Sequence, residues 1–101
     1  MFVSHSEIEI EEQGAQALED AFRARWRRVD QHEGFLGLDL LRDVARRGCY
    51  LLVTRWRSRQ DFRRYMKSAD FRAAHARQHP GVQEPLGGAP LRQFEAIDLT
   101  A

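Results

Sequence analysis

The chain of 101 residues has one cysteine, one lysine, almost no net charge and no long apolar run. Cys49 stands alone, so no intramolecular disulfide can form and no thiolate cluster can hold a metal. Inside the apolar run CYLLV it reads as a small buried thiol. A formal net charge of +1 gives no global reason to bind nucleic acid or an acidic surface. No basic stripe with interleaved aromatics occurs either, so nucleic acid is not an expected partner. No stretch approaches the length of a bilayer span, so no membrane role is expected. The first residues show neither a basic n-region nor an apolar h-region, and the reading is a cytoplasmic protein without a signal peptide. His5, His32, His75 and His79 lie at no metal-ligand spacing, which argues against a zinc or dinuclear site. No repeat, low-complexity tract or linker divides the chain, so residues 1–101 are read as a single domain.

Of the sixteen basic residues, Lys67 is the only lysine. Guanidinium suits carboxylate and phosphate recognition, but the codon usage of a GC-rich genome is the plainer source of the bias. The hydrophobic fraction, 43%, is that of an ordinary water-soluble protein.

The segment from Thr54 to Gln78, TRWRSRQDFRRYMKSADFRAAHARQ, organises the rest. It reads as the end of a strand, a short helix, a break and a second short helix. Ser58 with Asp61 forms a capping-box-like start. Phe62, Tyr65 and Met66 then recur at helical spacing. Ser68 interrupts and can cap again. Phe71, Ala74 and His75 form the next stripe, with His75 on the face of Phe71. By residue type alone, His75 is a core histidine bonded to a backbone carbonyl more readily than it is a ligand.

Around this segment the order is strand, helix, strand, strand, helix, strand. Residues 2–10 alternate, with Phe2, Ser4, Ser6, Ile8 and Ile10 on one face. The two serines either leave inward space or are wet at the strand start. Residues 13–31 read as one helix with Ala15, Leu18, Phe22, Trp26 and Val29 buried. The charge run RARWRR is its solvated end, and His32 beyond it is expected to be exposed. Residues 35–43 and 49–56 form a hairpin through a polar turn. Leu36, Leu38 and Leu40 are expected on one face of the hairpin, Phe35 and Leu41 on the other. Residues 79–90 read as a Gly- and Pro-rich loop, and 91–99 as the last strand.

The order βαββαβ is that of a ferredoxin-like α+β fold. Helices cover one face of its sheet. The hairpin strands are apolar on both faces, which a sheet covered on one side only does not need. A second copy of the chain is the expected cover, giving a homodimer and a dimeric α+β barrel.

Three stretches carry a family likeness: GFLGLDLLR (34–42), VTRWRSRQDFRRYMKSADFRAAH (53–75) and LRQFEAIDL (91–99). The sequence resembles the antibiotic biosynthesis monooxygenase superfamily, and within it the small bacterial heme-degrading monooxygenases. The resemblance implies heme as both substrate and cofactor, used with O2 and an external reductant. It implies His75 as the iron ligand, with Phe71 and Phe22 lining the ring. At the family's tryptophan, which packs under the porphyrin, stands Tyr65. At its distal asparagine stands Ser6. Tyr65 can line a porphyrin with less steric pressure than an indole, and Ser6 offers one donor where an amide offers two. Heme binding can survive such changes while the rate or regiochemistry of ring opening shifts. Two other readings stay open. One is a cofactor-free monooxygenase of an aromatic or quinol substrate, which needs a polar group to take a phenolic proton. The other is a non-catalytic dimer that binds heme or another small molecule.

Overall fold

The structure, a computed structural model, describes residues 1–25, 27–76 and 91–100, and leaves the side chains of residues 75 and 76 outside that description. Strand β1 (Phe2–Glu9) leads through a 3-10 turn (Glu12–Gly14) to helix α1 (Ala15–Arg23). A second 3-10 turn (Arg28–Gln31) precedes β2 (Phe35–Arg42) and β3 (Cys49–Trp56). Helices α2 (Arg59–Met66) and α3 (Ala69–Ala76) follow, and β4 (Leu91–Glu95) closes the sheet. The strand order is β2-β3-β1-β4, and every pairing is antiparallel. This is the ferredoxin-like α+β arrangement expected from the sequence. No described helix is long and apolar enough to cross a membrane.

β1 buries Phe2, Ser4 and Ile8, with Ile10 buried just beyond it, and leaves Glu7 and Glu9 exposed, so its alternation was legible. The expected helix over 13–31 is not one helix. α1 stops at Arg23, and Arg27 takes a left-handed φ of 59°, which no right-handed helix continues. The Arg25 guanidinium donates to Asp30 at 3.0 Å across the break. The break sends the two apolar ends of the segment to different places. Leu18 joins Ile8, Ile10 and Tyr50, whereas Val29 joins Phe2, Trp56 and Phe62. Trp26 and the loop 79–90 lie outside the described residues.

The hairpin is corrected as well. A bulge between Phe35 and Gly37 places Phe35 opposite Trp56, on the same face as Leu38 and Leu40. Leu36 falls in the bulge and is exposed. Leu41 pairs with Leu51 on the open face, where Cys49 is half-buried rather than buried. β4 is also shorter than expected. Glu95 pairs with Phe2, and the Ala96 amide donates to the Met1 carbonyl, so β1 offers nothing to pair with beyond that point.

The two capping serines act as read. Ser58 Oγ accepts from the Asp61 amide at 3.2 Å and donates to its carboxylate at 2.9 Å. Ser68 Oγ accepts from the Phe71 amide and donates to the Tyr65 carbonyl, which ends one helix and starts the next. Asp61 is buried yet fully engaged. Arg57 donates to both its oxygens and Arg64 to one, and both arginines reach Glu33 as well. Burial alone would push the Asp61 carboxyl up, but Ser58, Arg57 and Arg64 together hold it below the usual carboxylate range. Gly34 (φ 82°) passes against this carboxylate, and a Cβ there would lie 2.2 Å from Asp61 Oδ2.

Two outcomes are expected. Gly34→Ala should lose more than about 2 kcal/mol in urea unfolding, because a left-handed non-glycine residue is strained and the contact must also open. Asp61 has a lowered folded pKa, so its stabilisation is complete above the unfolded carboxylate value of about 4 and is lost as pH falls through the folded value. Asp61→Asn should therefore flatten the acid limb of a stability-versus-pH profile, and an unchanged limb would show that Asp61 does not set it.

Candidate functional site

The helix-covered face of the sheet is not a continuous apolar layer. One cluster joins Phe2, Val29, Trp56 and Phe62 with Phe35, Tyr65 and Met66. The other joins Ile8, Ile10, Leu18 and Tyr50 with Phe22, Leu40 and Leu52. Phe2 and Ile8 are six residues apart on β1, which is about 20 Å of strand. Ser4 and Ser6 lie between them on the same face. Ser4 is buried and its hydroxyl is bonded to Thr54 Oγ1, which also accepts from Trp56 Nε1 at 2.9 Å. Ser4 is thus neither wet nor marking a space, because the core uses its hydroxyl. Ser6 is outside that relay. It is half-buried, with Leu52 of β3 and Leu91 of β4 as its cross-strand partners.

Tyr65 sits in an aromatic surround. Its ring stacks on Trp56 at 5.3 Å and meets the edges of Phe71 at 5.5 Å and His32 at 4.9 Å. Offset-stacked and edge-on contacts of this kind favour a fixed ring orientation. Burial, then the Asp70 carboxylate, push the Tyr65 phenol up to about 12, against a smaller opposing pull from Arg25. It is a neutral hydroxyl throughout the physiological range.

Of the residues singled out from the sequence, Tyr65 and Phe71 are in contact, whereas Phe22 belongs to the other cluster. Ser6 occupies the strand between the clusters. His75 falls in the last turn of α3 as a backbone position, and its side chain lies outside the described residues. His32 escaped the sequence reading. It is not exposed as expected but half-buried, with Nε2 at 2.9 Å from Asp70 Oδ2. A separation of 38 residues gives no periodic signal for such a pair. At the far end of the face, Glu19 of α1 accepts from Tyr50 at 2.7 Å and from Arg42 at 2.6 and 3.1 Å. That bidentate pair fastens α1 to the hairpin.

The antibiotic biosynthesis monooxygenase family model matches residues 1–77, the span that contains Ser6, Phe22, Tyr65, Phe71 and His75. The chain belongs to that family. A mycobilin-producing heme oxygenase of Mycobacterium tuberculosis is 35% identical over 92 residues, covering 89% of this chain and 83% of the relative. The heme degrader MhuD of the same organism, solved with two hemes bound in its active site, superposes with a TM-score of 0.78 at 30% identity. The match covers 98% of this chain and 99% of that one. A Bordetella bronchiseptica protein at 16% identity shares the fold with a TM-score of 0.77 over 95% of this chain and 96% of its own. Within the family fold, this chain combines a hydroxyl on β1, a phenol in the aromatic group of α2 and a histidine at the end of α3.

The phenol can be tested directly. A raised Tyr65 pKa means that its contribution to stability is complete below the unfolded value of about 10 and is lost as pH rises through the folded value. Titration followed at the phenolate absorption band should show a late ionisation near pH 12. Tyr65→Phe should remove that step, and its persistence in the variant would place it on Tyr50.

Proposed function

We propose that the chain binds heme on its helix-covered face through His75 and oxidatively opens the porphyrin, using O2 and an external reductant. The observation that carries this reading is the likeness to a mycobilin-producing heme oxygenase, 35% over 92 residues and 89% of this chain, and His75 at the end of this chain's A-A-H segment is the residue proposed to hold the iron. The composition of the described face supports a flat, largely apolar ligand. Tyr65 and Phe71 offer aromatic surfaces, while the small Ser6 interrupts the apolar face between the two core clusters. When bound, the heme supplies the iron at which O2 is activated and is itself the substrate.

The chain's own residues have separable roles. His75 is the proposed ligand through a ring nitrogen, a task for which imidazole is well suited. Ser6 can give one hydrogen bond from the β1 side. Tyr65 forms a neutral wall held by Trp56, and Phe71 and Phe22 are proposed to exclude water from the two flanks. A second copy of the chain, meeting the open sheet face, is proposed to complete a homodimer.

The departures at Ser6 and Tyr65 favour one alternative, a cofactor-free monooxygenase acting on an aromatic or quinol substrate in the same place. Tyr65 is a poor base for such a substrate, since its phenol stays protonated. That chemistry would fall to another polar group.

Hemin titration of purified protein should give a shifted Soret band, and His75→Ala should weaken binding by about tenfold or more and alter the spectrum. Ascorbate added with catalase should then bleach the Soret band and release a linear tetrapyrrole. An unshifted spectrum with wild type, together with oxygen uptake on a quinol, would overturn the heme reading in favour of the alternative. Stable heme with no bleaching would leave a binding protein. Sedimentation should give twice the chain mass, and a monomer would remove the proposed dimer.

A further inference from the structure

We propose that His32 is a positioning residue, which sets the rotation of α3 about its axis and hence the direction in which position 75 projects. The inference rests on the reading of His75 as the heme ligand and adds to it two residues that nothing in the family likeness singles out. His32 itself is firmly held. Its backbone amide donates to the Val29 carbonyl at 3.0 Å, and its carbonyl accepts from the Phe35 amide at 3.1 Å. Its ring lies between two elements of the site. The edge contact to Tyr65 faces one, and Nε2 at 2.9 Å from Asp70 Oδ2 faces the other. The second Asp70 oxygen lies 3.7 Å from the guanidinium of Arg28, in the 3-10 turn that His32 follows.

The helix geometry explains why this contact matters. Asp70 and Phe71 are successive residues of the first turn of α3 and so project about 100° apart around its axis. Phe71 is fixed against Tyr65, and Asp70 is fixed against His32. A rod held at one azimuth can roll, but a rod held at two cannot. His75 lies five residues beyond Asp70, about 7.5 Å along the axis, so its azimuth follows from theirs. The carboxylate is also well placed near the start of a helix, where exposed N–H groups favour negative charge. His32 touches Tyr65 as well, so one imidazole registers the aromatic wall against the ligand helix.

The test uses the full chain and hemin, with His32→Ala, Asp70→Asn, the double variant, His32→Gln and His75→Ala. Three quantities are read: hemin affinity, the electron paramagnetic resonance spectrum of the ferric complex, and the urea midpoint of the heme-free protein. His32→Ala and Asp70→Asn are each expected to weaken hemin binding about tenfold, as for groups that orient a metal ligand, and to broaden the ferric signals. Asp70→Asn should change the urea midpoint little, because the ion pair is partly exposed, whereas His32→Ala also loses the ring contact to Tyr65 and is read against His32→Gln. The double variant should bind no worse than the weaker single variant. His32→Gln keeps an N–H donor and should restore the wild-type spectrum. Wild-type affinity and spectra in both single variants, with His75→Ala impaired, would overturn the proposal and leave the heme reading standing. Losses that track the urea midpoint and are not restored by His32→Gln would overturn it too, by assigning the pair to stability alone. A His75→Ala protein that binds hemin as wild type does would instead remove the heme-ligand reading, and this inference with it.

Discussion

Trp56 is the point at which sheet, helices and candidate site are made to agree. It is fully buried at the end of the central strand β3, with Phe2 of β1 and Phe35 of β2 as cross-strand partners. Phe62 and Tyr65 of α2 both pack on its ring. Its N–H cannot be left bare in that position, because an unpaired buried donor costs about 1–3 kcal/mol. Thr54, two residues back and on the same face, accepts it, and Ser4 closes the relay from β1. One indole therefore dictates a hydroxyl on β3, a hydroxyl on β1 and an aromatic face on α2. The site inherits its rigidity from that set, since the Tyr65 ring rests on the same indole.

The elements of the fold were largely legible because each has a local cause. The alternation of β1, the caps at Ser58 and Ser68, and the apolar length of β3 are written within a few residues of where they act. What was not legible depends on partners far along the chain. Nothing within residues 13–31 says that the helix must stop, since Leu18 and Val29 keep helical spacing. The stop follows from two separate core clusters that each claim one of them. The bulge at Leu36 is similar. A single extra residue moves Phe35 to the opposite face, and its cause is the register with Trp56 rather than any feature of GFLGLDLLR. The last strand ended early for a purely topological reason, as β1 runs out at Met1.

The same division holds for the site. Tyr65 and Phe71 were candidates because they lie within the likeness-bearing stretch 53–75, and Ser6 because of its place on the first strand, and both signals are local. Ser4 was found but given the wrong choice of roles, because its partner Thr54 is 50 residues away. His32 was assigned to solvent because it follows a run of arginines, yet Tyr65 of α2 and Asp70 of α3 pack against it. Long-range polar pairs leave no trace in periodicity.

The open face of the sheet bears on the proposed dimer through its polar groups as much as its apolar ones. Val53 is buried there, and Val3, Cys49 and Leu51 are half-covered. These residues alone would make a modest patch. His5 stacks on Phe94 at 4.6 Å, the Arg92 guanidinium lies over the Phe94 ring at 5.1 Å, and His5 Nδ1 is buried without a hydrogen-bond partner among the described residues. Asp39 and Arg55 pair beside it. A face of this composition is poorly served by a purely apolar cover, which would strand the Asp39–Arg55 ion pair. An identical face approaching across a two-fold axis brings both apolar area and donors and acceptors of both kinds. That complementarity favours a second copy of the chain over an unrelated hydrophobic partner as the cover.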